Sequence, residues 1–153
     1  MKILIINGSA HRGNTWKLVE QAKNCLVESQ KEIEFDEVHL IEEGLPFCIG
    51  CSNCFRVGYE KCPHYHVIGK IIEKMETADG IIIATTTYNM RETALLKNLF
   101  DHFCFMLHRP HFFKSKALVI TTTGGVGGHA AAKSVKGTLL GIGFNRCYTF
   151  SRA

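Results

Sequence analysis

No stretch of this 153-residue chain approaches the run of about 20 apolar residues that a membrane-spanning helix needs. A signal-peptide layout is missing too, because Lys2 is followed by only five residues of strand-like sequence. Cytoplasmic residence is therefore expected, where thiols stay reduced. There is no run of basic residues and no RNA-binding aromatic motif, and the formal charge of +4 is mild. Neither a nucleic acid nor a membrane is an expected partner. Repeats, low-complexity stretches and linkers are also absent. With 46% hydrophobic and 21% charged residues, the composition is that of one ordinary globular domain over residues 1–153.

Two nucleotide-binding signatures are missing where they would be expected. The chain opens with a buried-strand pattern, KILIIN (2–7), and turns into GSAHRGNT (8–15). The Gly8 and Gly13 spacing begins like a phosphate loop of the Walker type, but Asn14 and Thr15 stand where that motif needs Lys and Ser or Thr. No strand ends in a magnesium-binding acid, since IIIA (81–84) runs into three threonines. NTP hydrolysis is thereby disfavoured. The G-x-G-x-x-G fingerprint of dinucleotide sites is lacking as well. What is present is a strand, a glycine- and hydroxyl-rich turn and a helix start. Unpaired backbone N–H groups and the positive end of the helix dipole favour phosphate there. Ser9, Asn14, Thr15 and backbone amides are suited to one terminal phosphate, which His11 could also reach when protonated. An ordinary capped turn would read the same way.

Beyond this turn, strand and helix patterns alternate. Strands are predicted over 2–7, 33–40, 80–86, 117–122 and 144–150, and helices over 14–29, 67–77, 92–107 and 129–140. Residues 42–64 form a long cysteine-rich loop inserted after the second strand. Such alternation implies a doubly wound α/β fold: a five-stranded parallel sheet between two helical layers, three layers in all, with order 2-1-3-4-5. Ligands bind such sheets at the carboxyl ends of the strands, beside strand one. Residues 8–15, 86–90 and 122–128 converge there, and all three segments are rich in Gly, Thr, Ser or Asn.

These segments resemble those of the flavodoxin-like NAD(P)H-dependent FMN reductases, close to their iron-sulfur flavoprotein branch. The likeness rests on INGSAHRGNT (6–15), TYNM (87–90) followed by LLKNLFD (95–101), and TTGG (122–125). The family's usual proline near position 86 is Thr86 here, and its arginine after the aspartate is His102. The resemblance implies that Ser9, Arg12, Asn14 and Thr15 hold the phosphate of FMN. It also implies that Thr87, Tyr88, Asn89 and Met90 border the flavin ring, and that Thr123, Gly124 and Gly125 close its other edge. Tyr88 also reads as a packed aromatic, and Trp16 as packing.

The cysteines are the second chemical signal. Cys48, Cys51 and Cys54 have two residues between neighbours, and Cys62 follows after seven more with Pro63 behind it. This resembles a ferredoxin-type run with a lengthened last gap, and the motif of iron-sulfur flavoproteins, which carry a [4Fe–4S] cluster. Free structural thiols are an equal alternative, and zinc with His64 or His66 is a third. Cys25, Cys104 and Cys147 read as core residues. His39, His108 and His111 read as solvated or aromatic surface positions. Asp101 and His102 are helix neighbours whose side chains do not face each other.

The implied function is an oxidoreductase in which NADH or NADPH passes hydride to FMN, and the flavin passes electrons to a quinone, a free flavin or another acceptor. The alternative is an electron carrier, either an iron-sulfur flavoprotein or a flavodoxin-like shuttle. No residue is assigned as catalytic, because flavin chemistry requires no protein acid or base. A homodimer or higher homo-oligomer is expected on two grounds. Only three residues follow strand five, where such sheets usually add a helix, and the helix at 92–107 carries a broad apolar stripe followed by Phe112 and Phe113.

Overall fold

The computed structural model describes residues 1–29 and 32–153. The strands are β1 (Lys2–Asn7), β2 (Glu34–His39), β3 (Gly80–Thr86), β4 (Lys116–Thr122) and β5 (Arg146–Arg152). All neighbours pair in parallel, in the order β2-β1-β3-β4-β5. The helices are α1 (Asn14–Ser29), α2 (Leu40–Glu43), α3 (Asn53–Arg56), α4 (Tyr65–Thr77), α5 (Ala94–His102) and α6 (Gly128–Gly141). Strand order and bounds therefore follow the pattern read from sequence, within two residues at most ends.

Alternation along the strands divides the core in two. Leu4, Ile6, Ile81, Ile83, Ala117 and Val119 point into a large cluster closed by α4, α5 and α6. Ile3, Ile5, Ile82, Ala84 and Ile120 point the other way, toward Val19 and the partly buried Trp16, Leu18, Ala22 and Leu26 of α1. The central strands are apolar at nearly every position because both faces are covered. In α4, Ile68, Ile71, Ile72 and Met75 recur at helical spacing and are all buried. Each such side chain contributes roughly 1.5–3 kcal/mol of burial free energy.

Two expectations need correction, and the β5 side of the sheet stands open. The helix expected over 92–107 ends at His102, and Cys104–Leu107 forms a separate 3-10 turn. Its apolar stripe is consumed within the chain, since Leu96, Leu99, Phe100, Phe103, Met106 and Phe112 are all buried. Only Leu107 and Phe113 of that group are exposed. The loop at 42–64 is not structureless, because it holds α3 and a 3-10 turn at Tyr59–Lys61. Finally, β5 is largely exposed, including Tyr148 and Phe150. Beside it an apolar groove lined by Ile3, Ala22, Leu26, Leu118 and Tyr148 opens on the α1 side of the sheet.

Candidate functional site

The carboxyl ends of β1, β3 and β4 carry three loops that hydrogen bonds tie together. Gly8 N–H donates to the Ala84 carbonyl at 2.7 Å. Thr86 N–H donates to Ser9 Oγ at 3.1 Å, and Ser9 N–H donates to Asn7 Oδ1 at 3.1 Å. Thr87 N–H donates to the Thr122 carbonyl at 2.8 Å. The hydroxyls of Thr15 and Thr122 meet at 2.5 Å. The Thr93 hydroxyl caps α5 by accepting from Leu96 N–H and donates to the Gly8 carbonyl at 2.5 Å. The turn after β1 must be glycine at position 8, where a Cβ would stand 2.8 Å from Leu96 Cβ.

A cleft of about 540 Å³ opens between these loops. Ser9, Asn14 and Thr15 line it, as do Thr123 and Gly124 from the third loop. It lies against the N-terminus of α1, a 16-residue helix with no acidic side chain in its first turn. Free N–H groups and the helix dipole there suit an anion. Arg12 lies apart from this lining. Its guanidinium is 3.7 Å from Glu42 and 5.6 Å from the Trp16 ring centre, and both charged side chains are more than half exposed. Lys17 and Arg152 line the cleft instead, together with His11. Gly125 sits further out on the third loop, its N–H donating to Thr123 Oγ1 at 3.3 Å.

The second loop is a tight hairpin. Tyr88 and Arg91 exchange backbone hydrogen bonds of 3.0 Å in both directions. Between them Asn89 and Met90 have φ of 48° and 67°. Two consecutive positive φ values define a type I′ turn, usually built from Asn and Gly. Methionine there costs of order 1–3 kcal/mol, and strain of this kind concentrates at ligand sites. Tyr88, Asn89 and Met90 are exposed. The hydroxyl of Thr87, by contrast, is buried and has no hydrogen-bond partner among the described residues. Gly127 lets the third loop close on this hairpin, since a Cβ there would lie 2.9 Å from Met90 Cα.

The cysteine loop lies on the α4–α5 face. Cys48, Cys54 and Cys62 line one small chamber with His102; Cys51 is outside its lining. Asn98 fastens the loop's entry. Its Oδ1 accepts from Cys48 N–H, and its Nδ2 donates to the Leu45 and Pro46 carbonyls, all at 3.1 Å. Since Asn98 stands about one turn into α5, which starts beside the three loops, the cysteine segment approaches the same side of the sheet. Cys104, expected in the core, is half-buried beside Cys54. Burial first, then the neighbouring Cys54 thiol, pushes the Cys104 thiol up to about 11. Burial also raises the Cys54 thiol, with Cys48 and Cys62 adding to the effect. Cys25, also expected in the core, is exposed, whereas Cys147 is buried.

One histidine departs from its expected setting, and a second meets a partner distant in sequence. His39 is buried rather than solvated. Asn7 Nδ2 donates to its Nδ1 at 3.2 Å, which leaves Nε2–H to donate to Glu37 at 3.3 Å, and the Trp16 ring lies 4.8 Å away. His102 is 5% exposed and meets His64 across the chain, Nε2 to Nδ1, at 3.0 Å. Burial, with the His102 and His66 charges, holds His64 below its ordinary range. Asn98 and His102 stand four residues apart on one helix face, and that spacing of polar residues within an apolar stripe was the available signal.

Comparison with known proteins agrees with this architecture. An iron-sulfur flavoprotein of Methanocaldococcus jannaschii is 40% identical over 102 residues, which are 66% of this chain and 51% of that protein. One from Clostridioides difficile is 28% identical over 153 residues, covering 99% of this chain and 67% of its own. The chain spans about half the length of the first curated relatives it matches. Among solved structures, an azoreductase from Bacillus anthracis superposes with a TM-score of 0.81 at 18% identity, over 99% of this chain and 86% of that one, a likeness of fold. The profile described as NADPH-dependent FMN reductase matches residues 1–147, and the chain belongs to that family.

Proposed function

We propose that the cleft between the three loops binds FMN and that the chain works as an NAD(P)H-dependent flavin oxidoreductase. The observation that carries this reading is the lacing of three hydroxyl-rich loops around a cleft that meets the α1 N-terminus. The donor set suits a phosphate monoester: Ser9, Asn14, Thr15 and unpaired amides, with Lys17 and Arg152 as nearby cations. Thr87 supplies a buried hydroxyl that lacks a partner and that a flavin edge would satisfy. Tyr88, Asn89 and Met90 would border the ring, and Thr123, Gly124 and Gly125 its other edge. Bound FMN supplies the redox chemistry, taking hydride from NADH or NADPH and serving a quinone, flavin or other small acceptor. The protein's part is to hold the phosphate, orient the ring and leave one face open to the nicotinamide.

The test is steady-state oxidation of NADH and NADPH by the FMN-loaded chain with menadione as acceptor. Turnover that requires both FMN and a nicotinamide is expected. Tight FMN binding without nicotinamide oxidation would make the chain a carrier.

That second reading has its own support in the naming of the relatives and in the chamber shared by Cys48, Cys54 and Cys62. A [4Fe–4S] cluster on Cys48, Cys51, Cys54 and Cys62 would make the chain an electron carrier. Cys48, Cys54 and Cys62 sharing one chamber supports that reading, and Cys51 lying outside the chamber's lining weighs against it. Self-association is proposed on the exposed apolar groove beside β5. Sedimentation at micromolar concentration is expected to give a dimer, and a stable monomer that binds FMN would exclude it.

A further inference from the structure

We propose that Cys62, His64 and His102 form a binding site for a single zinc-class divalent ion, clamping the end of the cysteine loop to the end of α5. One ligand atom from each of the three lies within 4.8 Å of the other two, and no other such group occurs among the described residues. The site does not depend on the flavin reading. It competes with the four-cysteine cluster for Cys62.

The orientation of His102 carries the argument. Its Nδ1 lies 2.9 Å from the Asn98 carbonyl, which can only accept, so the proton sits on Nδ1. The lone pair of Nε2 is thereby aimed at His64 Nδ1, 3.0 Å away. A metal-bound histidine characteristically donates its other ring N–H to a carbonyl or carboxylate, fixing tautomer and ring together. A tetrahedral ion at about 2.0–2.1 Å from each nitrogen separates the two by about 3.3 Å, and a thiolate at about 2.3 Å stands about 3.6 Å from each. The two nitrogens stand about 0.3 Å closer than that, and the sulfur exceeds its value by at most about 1.2 Å. The buried member comes from α5, and the other two, half-buried, precede α4 by a few residues. The clamp would therefore join two helices of the same layer. The fourth position falls to the chamber that Cys62 and His102 share with Cys48 and Cys54. Without an ion, the same geometry is a His64 N–H donating to His102 Nε2.

The experiment uses anaerobically purified, reduced chain, stripped with chelator and titrated with Co²⁺. One cobalt per chain is expected, with tetrahedral visible bands and a thiolate-to-cobalt charge-transfer band, displaced by Zn²⁺. His64→Ala and His102→Ala should each weaken cobalt at least about tenfold, whereas His66→Ala and Cys51→Ala should leave it unchanged. Because His102 is buried and its variant could unfold, X-ray absorption on the zinc-loaded wild type gives an independent reading: two imidazole nitrogens and at least one sulfur. The proposal is overturned by cobalt binding without charge transfer, or by affinity that survives both histidine variants. It is equally overturned by iron and acid-labile sulfide that persist in His64→Ala and vanish in Cys51→Ala. Loss of FMN binding alone touches none of these readouts.

Discussion

The edge of the sheet and the cysteine loop are both chemically rich, but they are built by opposite means. At the edge, backbone N–H groups and hydroxyls bind one loop to the next, so each loop is held by two others. The cysteine segment has only short helical turns of its own and is moored to α5 by two side chains, Asn98 and His102. It leaves Phe47, Ile49 and Val57 exposed. The first arrangement spreads its stability over many small contacts. The second concentrates its polar anchorage in a few, beside the packing of Leu45, Cys54, Tyr59 and Cys62 on the core.

That contrast can be broken by substitution. The largest effect is expected from replacing Asn14 and Thr15 together with alanine. Each loses a hydrogen bond to a charged group, worth about 1.5–3 kcal/mol, so FMN affinity should fall by well over a hundredfold. A thermal melt of the apo chain should accompany it, since Thr15 also bonds Thr122. Unchanged affinity would place the phosphate elsewhere. Next, Asn98→Ala removes three hydrogen bonds at a buried position. On the order of 3 kcal/mol of stability should be lost, read by urea unfolding, together with faster alkylation of Cys48. A small loss would mean that the loop is moored elsewhere.

Gly127→Ala forces a Cβ to within 2.9 Å of Met90 Cα at a φ of 93°. A cost of about 1–3 kcal/mol is expected, and FMN should bind more weakly because the second and third loops are pushed apart. The smallest effect, and the one that sharpens the contrast most, is Met90→Gly. Relief of a left-handed methionine, offset in part by the extra conformational entropy glycine loses on folding, should raise stability by up to about 1 kcal/mol, while FMN binding weakens as the hairpin loosens. Weaker stability and unchanged affinity would remove the case for functional strain at this turn.

Much of the edge was legible in the sequence. The β-branched run at 80–86 and the glycine–hydroxyl turn at 8–15 are local patterns, and a parallel sheet leaves little freedom about which strand ends meet. The resemblance at 87–90 and 122–125 named the other two loops. It could not say that Arg12 would turn to Glu42 and leave the cleft to Lys17 and Arg152, because Arg152 joins the site only across the sheet. The cysteine spacing was equally legible, with His64 read beside it, but the closeness of His102 to both Cys62 and His64 was not. Asn98 and His102 share a helix face, but what they meet lies about 40 to 50 positions away and leaves no local pattern.

By itself, then, the sequence determined the periodic elements, their order and the loop chemistry at the sheet's carboxyl edge. Those features follow from side-chain periodicity and from short-range turn preferences, which residues express wherever they sit. Only the tertiary structure decided that His64 meets His102 across 38 positions, that Asn98 anchors the cysteine loop, and that the α5 stripe is spent inside the chain. These are contacts between segments distant in sequence. Their geometry depends on how helices pack over the sheet, and no local pattern encodes a separation of three ångströms between two such side chains.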